Sequence, residues 1–204
     1  MSTVGVFGFQ FNGWYEEFIG EWFEACLVAQ PDQIVLVSDR MRSVPAGVTL
    51  RVVDPPTQKY PIPYYANCAV EACETDWCWN MDIDDLIRRD ALWEIRVVDA
   101  DVYVAGMFTS KGVEHIPKGL DWWTVLSSPD NHVPAGSAFR KWLWELVGGY
   151  PDIGFHDWGL WRLMAKQRAT FAVSGRVLYD YRMGHDSVSK HFDWDLYMAE
   201  LVGL

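Results

Sequence analysis

The chain reads as one α/β domain, residues 1–204, built on a parallel sheet with helices on both faces. Three observations predict this. Short, continuous apolar runs alternate with an amphipathic helical stretch: Val4–Phe9, then residues 14–29, then Gln33–Ser38. Strands that are apolar at every position are those buried on both faces. The 204 residues, half of them hydrophobic, suffice for a single sizeable core, and no repeat, low-complexity tract or linker marks a second domain. Finally, the apolar runs end in acids, Asp39 and the run Asp82-Ile83-Asp84-Asp85, at the carboxyl ends of strands, where open α/β sheets bind ligands.

Each element follows from its pattern. After the strand Val4–Phe9, Asn12 is a candidate N-cap for a helix over residues 14–29. Trp14, Tyr15, Phe18, Ile19, Trp22, Phe23 and Cys26 form one side of it, Glu16, Glu17, Glu21 and Glu24 the other, and Pro31 stops it. Gln33–Ser38 is the second strand and Val48–Val53 the third. A proline-rich loop, residues 55–63, carries Lys59 and leads into a short helix over residues 64–73. A buried strand, Trp77-Cys78-Trp79-Asn80-Met81, runs into the acids, and a helix is expected over residues 85–94. Asp101–Phe108 is a strand. Residues 109–134, including Trp122 and Trp123, read as loops with short strands. Helices follow over residues 140–147, stopped by Gly148-Gly149, and 157–168. A strand near residues 172–178, a polar loop over 181–190 and a terminal helix packing through Phe192, Leu196 and Tyr197 complete the chain.

Composition narrows the function. A net charge of −11 argues against nucleic acid, whose phosphates need Lys and Arg. No apolar run reaches the length of a membrane span and no signal-peptide pattern opens the chain, so a soluble cytoplasmic protein is expected. The four cysteines, Cys26, Cys68, Cys73 and Cys78, lack zinc-site spacing and read as buried free thiols. Twelve tryptophans suit a core and also suit sugar or base stacking; Trp122, Trp123 and Trp158 are candidates for the latter.

The acids at the end of the fourth strand carry the chemistry. Asp82 and Asp84 alternate, so they face the same way where the strand stops. Neighbouring carboxylates repel unless a cation lies between or beside them, and hard oxygen ligands suit Mg²⁺ or Mn²⁺ bridged to substrate phosphates. The plain alternative is that Asp84 or Asp85 caps the next helix.

These pieces, in order, resemble the GT-A nucleotide-sugar glycosyltransferases, and among them the inverting group called family 2. The resemblance rests on Phe9-Gln10-Phe11-Asn12, on Ala29-Gln30-Pro31-Asp32 with Ile34–Asp39, and on Asn67 within Ala66-Asn67-Cys68-Ala69. It continues through Met81-Asp82-Ile83-Asp84-Asp85, similar to the family's Asp-x-Asp motif, Val147–Tyr150 with His156–Trp161, and Tyr181-Arg182 with residues 185–189. It implies a single-domain, Rossmann-like GT-A fold with a mixed, mostly parallel sheet flanked by helices. Residues 1–108 would hold the donor and 109–204 the acceptor. The implied reaction moves a sugar from a nucleotide diphosphate sugar, a UDP-sugar by preference, to an acceptor hydroxyl on a glycan, protein or lipid. Asp84, Asp82 and His185 would hold Mn²⁺ or Mg²⁺. Asp157 would be the general base. Phe9, Asn12, Asp39, Asn67 and Asp82 would bind the donor, with Asp39 accepting from a ring N–H of the base and Phe9 or Phe11 stacking beside it. For His185, Asp39 and Asp157 the plain readings are a core or surface histidine, a loop acid and an N-cap. The chain departs from the family at Phe9, at Ala66, which leaves a phosphate contact either missing or supplied by Lys59, and at His156, where the family has Glu. Two other readings are a sugar- or nucleotide-binding protein without turnover and a nucleotidyltransferase making nucleotide-sugars. The latter wants a basic glycine-rich loop that the first strand lacks.

Overall fold

The structure is a computed structural model and describes residues 1–184 and 193–204. The elements run β1 (Val4–Gln10), α1 (Ile19–Ala29), β2 (Gln33–Ser38), β3 (Val48–Val52), α2 (Pro61–Ala72), β4 (Trp77–Asn80), β5 (Leu86–Ile87) and α3 (Leu92–Val97). They continue β6 (Val102–Thr109), β7 (Glu114–His115), α4 (Trp122–Ser127), β8 (Ala138–Arg140), α5 (Lys141–Val147), α6 (His156–Lys166), β9 (Phe171–Tyr181) and α7 (Trp194–Val202). All the strands join one sheet in the order β3-β2-β1-β4-β8-β6-β9-β5, with β7 paired to β6. The long ladders, β1 with β2 and β4, β2 with β3, and β6 with β9, are parallel. Each antiparallel ladder is only two or three residues long. The sheet is mixed and mostly parallel.

Alternation along the strands sorts the core. Val4, Val6, Ile34 and Leu36 face one side, with Trp22 and Phe23 of α1 and Leu92 and Ile95 of α3. Phe7, Val35 and Val37 face the other, against Tyr65 and Ala69 of α2 and Leu160 and Trp161 of α6. Trp22, Trp77, Trp79 and Trp161 are fully buried, and truncating any one to Ala costs about 3–5 kcal/mol. All four cysteines are free and buried.

β1 sits between β2 and β4, so the connections out of β1 and β4 diverge at their carboxyl ends and leave a crevice there. Gly8 lets the exit of β4 fold across β1. A Cβ at that position would stand 2.8 Å from the Trp22 ring and 2.9 Å from Ile83 Cδ1.

Several expected boundaries move, each for a local reason. Residues 12–18 are turns, and α1 starts only at Ile19 behind Phe18, which makes no side-chain cap. Asn12 is therefore no N-cap: it and Gly13 take φ of 53° and 73°, and the Trp14 N–H closes the turn onto the Phe11 carbonyl at 3.0 Å. The helix expected over 85–94 gives way to β5, because Leu86 and Ile87 pair with Asp180 and Tyr179 of β9. Trp122 and Trp123 lie in α4, whose cap Asp121 accepts the Thr124 N–H at 2.7 Å. In α7, Leu201 and Tyr197 pack on Ile153, Phe155 and Trp158, whereas Leu196 is exposed and Phe192 lies outside the described residues.

Candidate active site

β4 positions the acids. Past its last residue the chain stays beside β1 through the Met81 N–H to the Phe7 carbonyl at 2.9 Å. It then turns back, with the Asp85 N–H donating to the Asp82 carbonyl at 2.9 Å. Met81 and Ile83 are buried, and the alternating Asp82 and Asp84 line a cavity of about 240 Å³ at the carboxyl ends of β1 and β4. With the next helix starting at Leu92, neither Asp84 nor Asp85 caps a helix. Asp85 turns inward instead and accepts the Arg182 N–H at 2.8 Å, tying the end of β9 to the acids.

Phe9, Gln10 and Phe11 from β1 and its exit line the same cavity, as do Asn80 and Ile83 around β4, Tyr181 of β9, and His156 and Asp157. Asp157 lies in the first turn of α6. The N-cap is Phe155, so capping does not account for Asp157. Its carboxylate takes a long hydrogen bond from Asn131 Nδ2 at 3.5 Å. Asp157 thus opens onto the same space as Asp82 and Asp84.

The electrostatics are one-sided. Among the described residues no Lys or Arg lines this cavity. Burial first, then the charge of Asp84, pushes the Asp82 carboxyl up to about 7, against a hydrogen bond from Asn80 Nδ2 at 3.0 Å. Burial, then Asp82 and Asp84, raises Asp85 well above the usual carboxylate range, and burial, then Asp85, Asp82 and Asp84, pushes Tyr181 up to about 12. Burial lowers the His156 imidazole, against the opposing pull of Asp157. Among the described residues, Asn80 Oδ1 is buried without a hydrogen-bond partner.

This donor set fits a hard divalent cation: two carboxylates lining one cavity, a buried amide oxygen beside them and, among the described residues, no Lys or Arg along that cavity. Among the described residues no three His, Cys, Asp or Glu side chains are gathered to hold a metal alone. Asp82 and Asp84 would supply two, and His185, the third expected ligand, lies outside the described residues. A site completed by substrate phosphates is the common arrangement for Mg²⁺.

The other expected donor residues divide. Phe9 lines the cavity; Phe11 does too, with one face stacked on Tyr65 at 4.7 Å. Asp39 and Asn12 stand just outside it and hold each other, the Asn12 N–H donating to Asp39 Oδ2 at 2.7 Å. Asp39 Oδ1 is buried and makes no hydrogen bond among the described residues, with Arg40 Nε 3.6 Å away. Asn67 is elsewhere. Its amide is used by Trp144 Nε1, the Tyr150 N–H and the Tyr150 carbonyl, so it clamps α2 to the segment before α6. Gly149 allows this approach, since a Cβ there would meet Asn67 Oδ1 at 2.7 Å. Lys59 pairs with Glu200 at 2.5 Å and does not reach the cavity. Trp122, Trp123 and Trp158 do not line it either. Trp14 and Tyr15 do, carried there by the left-handed turn at Asn12-Gly13. That dipeptide is a turn signal in its own right. Asp85 was read only as one of the strand-end acids or as a helix cap, not as the acceptor of the Arg182 N–H.

No protein-family model matches the chain, and no curated protein does. Solved structures do. One is S. aureus TarS 1–349, with a TM-score of 0.64 and 17% identity over 88% of this chain and 60% of that one. The same protein in complex with UDP-GlcNAc gives 0.66, at 16% identity over 93% and 61%. The mannosyltransferase PcManGT from Pyrobaculum calidifontis, in complex with GDP-Man and Mn²⁺, gives 0.65, at 16% identity over 98% and 62%. The fold is that of the GT-A glycosyltransferases. The chain spans about 60% of the length of these three neighbours. At such identity the GT-A likeness speaks for the backbone, and residue roles rest on the cavity itself.

Proposed function

We propose that this chain is a metal-dependent, inverting glycosyltransferase, taking a sugar from a nucleotide diphosphate sugar, UDP-sugars first, to an acceptor hydroxyl. One observation carries the reading: Asp82 and Asp84 share, with Asp157, a cavity at the carboxyl ends of β1 and β4 of a GT-A fold. Asp84 and Asp82, with His185 as the expected third ligand, hold Mn²⁺ or Mg²⁺. When bound, the cation neutralises the leaving diphosphate. Asp157 takes the proton of the attacking hydroxyl, and a base on the acceptor side favours single displacement with inversion. Asp39 accepts a ring N–H of the base through its spare buried oxygen, Asn12 fixes the other oxygen, and Phe9 offers a stacking face. Asn67 serves the site by placing the segment ahead of α6. Residues 1–108 form the donor half and 109–204 the acceptor half.

The nucleotide complexes of the neighbours suggest the first substrates. Incubation with UDP-GlcNAc or GDP-Man, with and without Mn²⁺, is read by nucleoside diphosphate release and by thermal shift. The expected result is a Mn²⁺-dependent rise in melting temperature with slow release of UDP or GDP. Binding without release points to a binding protein, and no response to any nucleotide overturns the reading.

A further inference from the structure

A second cavity, of about 210 Å³, opens beside the acid-lined one. The two share Phe11, Trp14, Ile62 and His156, so a molecule seated in the second reaches the first without crossing the core. His156 borders both and precedes Asp157, which puts the passage next to the carboxylate assigned as base. The remaining wall is stiff and apolar. Pro61 and Pro63 open α2, Ile153 closes the far side, and the rings of Tyr60 and Tyr197 meet edge-on at 5.3 Å. Glu200 fixes this wall from behind. It accepts from Tyr60 Oη at 3.0 Å, Lys59 Nζ at 2.5 Å and the Gly154 N–H at 3.0 Å.

Charge and size together restrict the occupant. Among the described residues no Lys, Arg, Asp or Glu lines this cavity; its one ionisable side chain besides the two tyrosines is His156, which burial holds toward the neutral form. The nearby Lys59 spends its charge on Glu200. Among the described residues a charged guest would lose hydration and find no counter-ion along this wall. The volume lies below the roughly 300–1,000 Å³ of pockets for drug-sized ligands, so a single small ring suits it better than a long acyl chain. Aromatic walls on one side and a carboxylate at the passage match a ring with an apolar face and a hydroxyl rim.

We propose that this second cavity is the acceptor subsite and takes an uncharged sugar ring against Trp14 and Tyr197; the inference rests on the glycosyl-transfer reading. The acceptor hydroxyl oxygen forms the new bond to the donor's anomeric carbon as the bond from that carbon to the diphosphate oxygen breaks. Its proton passes to Asp157 and the bonding pair leaves with the diphosphate.

Saturation-transfer NMR on the full chain, without nucleotide or metal, tests this independently of donor chemistry. The probes are a neutral methyl glucoside, the matching glucuronide, the matching amino sugar and n-octanol. The neutral glycoside is expected to bind best, with both charged analogues about tenfold weaker, as loss of an unpaired charge's hydration requires. Tyr197→Ala is expected to weaken the neutral glycoside about tenfold while Tyr197→Phe preserves binding. Equal or tighter binding of a charged analogue overturns the proposal. So does a preference for octanol, no glycoside binding, or a Tyr197→Ala protein with native melting temperature and unchanged affinity. Should Tyr197→Ala fail to fold, the ranking of probes on the wild-type chain decides alone. Glycoside binding retained in a protein that ignores every nucleotide sinks the donor reading and leaves this subsite standing.

Discussion

The two ends of the sheet treat their carboxylates in opposite ways. At the amino ends, Asp32 ahead of β2 accepts the Val4 N–H at 2.9 Å and Arg96 at 3.1 Å. Asp76 ahead of β4 accepts the Thr3 N–H and hydroxyl at 2.8 and 3.0 Å, and Asp101 ahead of β6 accepts both donors of Thr170 at 2.8 Å. Each acid fastens the start of its own strand to the start of a neighbour. Against the pull of partial burial, Val4 and Arg96 hold the Asp32 carboxyl below its usual range; hydrogen bonds from Thr3 do the same for Asp76. At the carboxyl ends, Asp82, Asp84 and Asp85 crowd one another, and burial with mutual repulsion raises Asp82 and Asp85. One end uses its acids to hold the fold. The other crowds its acids together, so that burial and mutual repulsion penalise their charged forms, a penalty that a bound cation would relieve.

The largest expected effect tests the second half of that contrast. Asp84→Ala should lower transfer by about 10³-fold or more, corresponding to several kcal/mol of lost charge stabilisation, and should abolish the Mn²⁺-dependent nucleotide shift with the fold intact. Retained transfer, with the same metal dependence, removes Asp84 from the site. Asp157→Asn should cost about 10²–10⁴-fold in transfer, as loss of a general base does, while Mn²⁺-dependent nucleotide binding persists. If donor binding falls along with turnover, Asp157 belongs to the donor site and the division of the cavity is wrong.

A pH titration sharpens the comparison further. Asp82 moves from 3.8 up to about 7 in the fold, so folding takes up a proton in that window. Stability from this group is present at low pH and declines as pH rises through the window. Without metal, the melting temperature should fall between pH 5 and pH 8 on this account, and Asp82→Asn should flatten the decline and raise the melting temperature at pH 8. Mn²⁺ should stabilise the wild type more at pH 8 than at pH 5, because it competes with that proton. A slope unchanged by Asp82→Asn assigns the pH dependence to other groups.

The sequence exposed the strands because burial on both faces leaves them unbroken runs of apolar residues, as in Ile34-Val35-Leu36-Val37. Asp82 and Asp84 were conspicuous for a related reason, as charge where a buried strand ends, whereas Asp157 stood out only through the resemblance of its segment to the GT-A family. Residues 12–18 were misread because the aromatic residues that would pattern a helix face instead line the cavity and the lip of α1. The two left-handed residues at Asn12-Gly13 decide between the outcomes. β5 and β8 are two and three residues long, set by partners distant in sequence, so no local period marks them. Asn67 looked like a ligand because its motif did. Only its distance in sequence from Trp144 and Tyr150, 77 and 83 residues, conceals that its amide is already spent.

The smallest expected effect belongs to the amino end, and its pH dependence runs the other way. Asp76 is exposed, so losing the Thr3 hydrogen bonds in Asp76→Asn should cost only about 0.5–1 kcal/mol at pH 7, with transfer per folded molecule unchanged. Because the folded carboxyl is held below 3.8, its contribution is complete above that value and vanishes as pH falls through the folded pKa. Wild type and Asp76→Asn should therefore converge in acid, whereas wild type and Asp82→Asn should converge in acid from the opposite sign, the variant being the more stable at high pH. Chemical denaturation of the three metal-free proteins at several pH values reads both trends in one experiment. If Asp76→Asn behaves as Asp82→Asn does, the two ends of the sheet are not electrostatically distinct, and the carboxyl-end acids lose their claim to be waiting for a cation.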